Sequence, residues 1–186
     1  IRMKINDELP PDINILEVEK APPTFHARHD AVGRSYLYQI SRRRTALGKR
    51  FVWWIKEDMD FPRMHEISHL FVGMKNLQSF TDDDPEEKST KVLIEAVEMK
   101  EAGSLVLIRL YGSHFLWKLV RRIVGVIAEA GKGKISKDDI KPMLNGRSDI
   151  PSKFTAPPSG LFLERVYYRG DRHPDELLPI LNISHE

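Results

Sequence analysis

Cysteine is absent from all 186 residues. That removes disulfides, zinc ribbons, iron–sulfur clusters and thiol nucleophiles together, and it fits a reducing compartment without requiring one. Long apolar runs are missing too. No stretch approaches the ~20 residues of a membrane span, and no signal-like apolar segment opens the chain. A membrane partner is therefore not expected, and a cytoplasmic location is, with an organellar one left open. The first residue is Ile1 rather than Met, so a start further upstream is expected. Repeats and low-complexity linkers are lacking, and residues 1–186 read as a single domain. An excess of one charge is also missing, since 29 basic residues stand against 27 acidic ones.

The charges present are unevenly spread. Residues 1–56 and 102–170 are basic, whereas 57–101 and the tail from 171 are acidic. Two basic blocks around an acidic one suit a fold that gathers positive charge on one face for a polyanion. They equally suit a solvated surface.

Periodicity supplies the elements. Ile13, Ile15 and Val18 predict a short strand over residues 12–20. Tyr36, Tyr38 and Ile40 alternate within a strand over 33–41, and another strand is expected at 51–55. Met64, Ile67, Leu70 and Phe71 fall at helical spacing over 61–73, with Pro62 in the first turn and Gly73 at the stop. Residues 91–99 and 105–111 read as a hairpin. The broadest apolar stripe belongs to a helix over 115–130, with Lys118, Arg121, Arg122 and Glu129 off the stripe. Ser136 caps a further helix ending near Asn145 and Gly146, bent or shortened by Pro142. A proline-rich loop leads to a last strand over 160–168. Hairpins beside helices argue for an α+β fold, a mostly antiparallel sheet with helices packed on one face.

Two short motifs invite chemistry and fail on context. His65, Glu66 and His69 satisfy H-E-x-x-H, the zinc-protease pattern. A charged Arg63 precedes them and no third ligand stands at supporting spacing, so they read as surface residues and no metal is expected. Gly146, Arg147, Ser148 and Asp149 imitate a G-R-T-D loop, but they follow a capped helix and read as its C-terminal turn, with the glycine left-handed.

Longer matches occur in one order along the chain. Leu9, Pro10, Asp12 and Ile13 resemble L-P-x-D-I. Phe25, His26, Ala27 and Arg28, then Arg34, Tyr36 and Tyr38, resemble F-H-A-R-x-x-A-x-x-[KR]-x-Y-x-Y. Residues 115–125 resemble F-x-x-x-M-V-R-x-I-V-G, and residues 156–163 resemble A-x-A-x-G-L-x-L. Together these resemble the tRNA pseudouridine synthases of the A type, over residues 6 to 168.

That resemblance implies isomerisation of uridine to pseudouridine in the tRNA anticodon arm, by a homodimer, with no cofactor and no metal. It implies an Asp nucleophile beside a cation, an aromatic platform for a flipped base and a groove for phosphates. By the same resemblance Tyr36 stacks on the base and helps move the C5 proton, and Arg121 pairs with the nucleophilic Asp. Leu161 and Leu163 wall the uracil, while Phe25, His26, Arg28, Arg34, Lys118 and Arg122 contact RNA. From the residues alone, Tyr36 reads as a strand aromatic filling the core, the two leucines equally well as core, and Arg122 as a solvated helix residue. The family's G-R-T-D-A-G-V-H-A loop precedes the L-P-x-D-I segment and is not found in these residues. The nucleophile is expected upstream, and this chain alone is expected to be inactive. A non-catalytic RNA-binding module of the same fold is the alternative. The acidic stretch 82–87 has no family match, and is expected either to face away from the RNA groove or to mark a lineage-specific loop.

Overall fold

The computed structural model describes residues 1–173 and 176–181, which fall into two compact units, Ile1–Asp30 and Ala31–Glu186. In the first unit, α1 (Arg2–Glu8) is a helix that the apolar pattern does not announce. The Asn6 amide pairs both ways with the Ile15 backbone, donating to its carbonyl at 3.0 Å and accepting from its N–H at 2.7 Å. Residues 12–20 form no strand, contrary to their alternation, and Ile13, Leu16 and Val18 are exposed. A period-2 pattern makes a strand only where a neighbouring ladder exists, and here a side chain satisfies the backbone instead.

The second unit is built on one sheet. β1 (Gly33–Ser41) is an inner strand with partners on both edges. Its antiparallel neighbour on one side is β5 (Leu105–Gly112), which forms a hairpin with β4 (Lys91–Ala102). Gly103 turns that hairpin with φ 60°, at the first loop position, where a primed turn needs a positive φ. β3 (Gly73–Asn76) continues the sheet on the outer edge of β4. On its other edge β1 carries two short partners: β2 (Trp53–Trp54), parallel at residues 40–41, and β6 (Leu161–Tyr167), antiparallel along residues 33–38.

Three main helices accompany the sheet: α2 (Phe61–Ser68), α3 (Leu119–Gly131) and α4 (Lys137–Asn145). Tyr38, Ile40, Ile94, Val106, Ile108 and Leu110 form a continuous buried core with Met64, Ile67, Leu119, Ile123 and Ile127 of the helices. Each such side chain contributes about 1.5–3 kcal/mol of transfer free energy. The sheet's other face holds a smaller cluster around Leu37, Leu105, Leu107 and Leu177. On that face Arg109 is buried, with two nitrogens on Glu164 at 2.7 and 2.8 Å and a third on Glu98 at 2.8 Å.

Some boundaries differ from the sequence reading. The helix expected from residue 61 ends as α2 at Ser68, a 3-10 turn carries the chain to Phe71, and Gly73 (φ 100°) opens β3. Of residues 51–55 only Trp53 and Trp54 are strand. Residues 115–118 precede α3 rather than belonging to it. A single helical turn, α5 (Ile150–Lys153), interrupts the proline-rich loop. The α4 capping box is complete, with Ser136 and Asp139 each accepting from the other's backbone N–H. No helix among the described residues is long and apolar enough to cross a membrane.

Candidate active site

Tyr36, Tyr38, Leu161 and Leu163 stand together because of sheet register. Cross-strand partners share a face, and β1 pairs Tyr36 with Leu163 and Tyr38 with Leu161, after a bulge at residues 35–36. That is the face the helices cover. Tyr36 is half-buried, its ring edge-on to Phe115 with centroids 5.0 Å apart. Leu163 is 55% exposed, so this column ends at solvent. Tyr38 is fully buried, and its hydroxyl points at the carbonyls of Pro157 (2.7 Å) and Ser159 (3.1 Å). Burial holds its phenol well above the ordinary tyrosine range, an effect that the nearby Arg121 charge partly offsets. Tyr38 is thus an anchor and keeps its proton.

Arg121 reaches the same face through a backbone zipper. Its Nε donates to the Ala156 carbonyl at 2.6 Å, and the Ala156 N–H donates to the Arg121 carbonyl at 3.1 Å. Gly125, one turn along α3, makes the contact possible, since a Cβ there would overlap the Phe154 carbonyl. The zipper carries residues 157–159 onto Tyr38 and brings the Arg121 charge beside it. Arg121 is half-buried, and among the described residues no Asp or Glu pairs with it. A cation drawn out of water without a carboxylate is costly, so this one is poised to receive an anion.

The acidic stretch 82–87 contacts α3 and the residues just before it. Its first residues clamp the start of α3. Asp82 accepts from Lys118 Nζ at 2.7 Å and from Arg122, Asp83 accepts from the Trp117 N–H at 3.0 Å, and Thr81 donates to the Trp117 carbonyl at 3.1 Å. Lys118 has φ 62°, and among the described residues it alone is a non-glycine with positive φ. Such a conformation costs roughly 1–2 kcal/mol, and the clamp offsets it. The clamp fixes where α3 begins, and so where Phe115 and Arg121 lie. Asp82 is held below the usual carboxylate range first by the Lys118 hydrogen bond and then by Arg122, and Asp83 first by the Trp117 N–H.

Arg122 is correspondingly not solvated: it is 5% exposed, with a buried Nε that has no partner. Glu129, also expected off the apolar stripe, is buried and takes Lys132 at 2.7 Å. Lys118 and Arg122 therefore serve Asp82 here, whereas Arg34 lies on β1 and donates to the Ser113 carbonyl at 2.8 Å. Phe25, His26 and Arg28 belong to the first unit. There the His26 N–H donates to Asp30 at 2.7 Å, and His26 Nδ1 accepts from the Arg28 N–H at 3.2 Å.

His65, Glu66 and His69 lie on the exposed side of α2 and the turn after it, the two imidazoles edge-on at 4.6 Å. Gly146 is extended (φ −152°), not left-handed. Ser79 makes the turn instead, its hydroxyl donating to the Gly146 carbonyl and accepting from the Ser148 N–H. The clamp residues Thr81, Asp82 and Asp83 and the anchor Tyr38 went unassigned in the sequence. Only the place of the acidic run, just before a strand and far from α3 in sequence, hinted at a non-local partner.

The family described as tRNA pseudouridine synthase has a sequence model that matches residues 67–169. The tRNA pseudouridine synthase A of Geobacter sulfurreducens is 31% identical over 166 residues, covering 88% of this chain and 68% of the relative. That of Aquifex aeolicus is 34% identical over 164 residues, 87% and 67% of the two chains. That of Sinorhizobium fredii is 34% identical over 158 residues, 84% and 64%. The chain spans about two thirds of the length of these relatives. A family match over more than half of the chain and relatives of this identity establish that the chain belongs to the tRNA pseudouridine synthase family.

Proposed function

We propose that this chain supplies most of the uridine site of a tRNA pseudouridine synthase acting on the anticodon arm in the cytoplasm. The supporting observation is the half-buried Arg121, without a carboxylate among the described residues, on the sheet face that carries Tyr36, Leu161 and Leu163. Tyr36 stacks on the extruded uracil, and Leu161 and Leu163 wall it. Arg121 holds the nucleophilic aspartate ionised. That carboxylate comes from outside these 186 residues, since the G-R-T-D-A-G loop is not among them. The isomerisation breaks the bond from ribose C1′ to uracil N1 and forms one from C1′ to C5. The C5 proton leaves with help from the Tyr36 phenol, and N1 ends protonated. No metal or organic cofactor takes part.

Arg34 and, from the first unit, Phe25, His26 and Arg28 contact the RNA. Lys118 and Arg122 act at one remove, by fixing the start of α3, and reach phosphate only when Asp82 lets go. The protein works as a homodimer. Tritium release from tRNA labelled at uridine C5 tests the assignment. The 186-residue chain alone should release none, and the chain joined to a segment carrying a G-R-T-D loop should release it. A joined protein that binds tRNA yet releases none would favour the alternative, a non-catalytic RNA-binding module. Release by the isolated chain would refute the external carboxylate.

A further inference from the structure

Trp54, at the end of β2, is 40% exposed, and the Arg44 guanidinium lies 5.5 Å from its ring centroid. The segment between β1 and β2 is strongly basic. Arg42 in it is neutralised by Glu101 at 2.5 Å. Among the described residues no Asp or Glu pairs with Arg44, Lys49 or Arg50. Arg44, Lys49, Trp53, Trp54 and Ser159 border a cavity of about 730 Å³ at the sheet edge. That is within the range of small-ligand sites.

Two features of this cavity need an answer from one ligand. Its cations gather positive charge that no carboxylate offsets, and its tryptophan leaves an aromatic face in water. An acidic peptide answers only the first and an apolar molecule only the second. A nucleotide answers both, its base stacking on the indole and its phosphate meeting the cations. The cavity wall also packs against Tyr38, the anchor beside the proposed uridine site. Ser159, on that wall, accepts from the Tyr38 hydroxyl, and Trp53 lies edge-on to Tyr38 with centroids 6.2 Å apart. Trp54 pairs with Ser41, five residues along β1 from Tyr36, a distance of about 17 Å along a strand. A few nucleotides of unpaired strand cover that span.

We infer that the cavity beside Trp54 is a second base-binding site, which takes an unpaired nucleotide of the RNA a few positions from the target uridine. The base stacks with Trp54 and Arg44, and the phosphate lies on Lys49. This rests on the reading of the substrate as RNA, but not on catalysis. Trp53 faces the helices and Trp54 the opposite side, so the bound strand turns around the sheet edge.

The test is binding of an anticodon-arm stem-loop, and of a fully paired duplex of equal length, to the intact 186-residue chain, followed by anisotropy over a range of salt. Trp54→Ala should weaken stem-loop binding by about tenfold and leave the duplex unchanged, with Trp54→Phe recovering most of the loss. Lys49→Gln should weaken both RNAs and lower the salt slope by about one. Thermal melting of each variant checks the fold. Equal stem-loop affinity for Trp54→Ala and the original chain, or equal losses by Trp54→Ala on the two RNAs, would overturn the second site alone. Absence of RNA binding by the unsubstituted chain would overturn this site and the RNA-directed function together.

Discussion

Arg121 and Asp82 are two charged residues in opposite situations. Arg121 is half-buried with no carboxylate paired to it among the described residues, whereas Asp82 already has two cations. Replacing Arg121 by Ala in the joined protein should therefore cut turnover at least a hundredfold. It should change the melting temperature little, since its side chain makes one backbone hydrogen bond. Single-turnover tritium release beside a thermal melt measures both. Asp82→Ala should act the other way. It strands the buried Arg122, whose Nε is already unpartnered, and should lower stability by about 1–3 kcal/mol in urea denaturation. The same clamp predicts acid sensitivity. Asp82 and Asp83 titrate lower in the folded chain than unfolded, so the unfolded chain takes up protons first as the pH drops. The stability they give is full above the unfolded carboxylate value of about 3.9 and falls away as the pH drops through the lower folded values. Urea midpoints measured from pH 6 to pH 3 should fall, and fall less steeply in Asp82→Asn.

Elements with a complete local signal were legible, and those fixed by distant contacts were not. The β4–β5 hairpin follows from alternation and Gly103, and α4 from its Ser136–Asp139 box. The start of α3 could not be read, because Lys118 adopts φ 62° only with Asp82, Asp83 and Thr81 holding residues 117 and 118 from 36 or so positions away. β3 has no apolar alternation of its own and forms because β4 offers it an edge. Residues 12–20 alternate without such an edge and stay irregular. The contact of α3 with residues 154–156 yields a prediction at this scale. Gly125→Ala drives a methyl into the Phe154 carbonyl, so it should cost about 1–3 kcal/mol or more. Because the same contact carries Arg121, activity in the joined protein should fall further than the lost folded fraction explains. Arg109→Ala tests the other face. Leaving Glu164 without its counter-charge should cost about 3–5 kcal/mol by denaturant titration, while tRNA affinity of the folded fraction stays unchanged.

In the second unit, one sheet face with its helices carries the proposed uridine site, and the opposite face carries the Arg109 ion pairs. The central claim is that a uracil lies on Tyr36, between Leu163 and the Arg121 side of the sheet. It is tested most directly without any catalysis. Anticodon-arm RNA carrying 4-thiouridine at each uridine in turn is irradiated with the chain, and the cross-linked peptides are sequenced. The account predicts that one uridine cross-links to Tyr36 or to residues 161–163, and that Tyr36→Ala abolishes that product. Cross-links that map instead to the Arg109 face, and are unchanged by Tyr36→Ala, would contradict it.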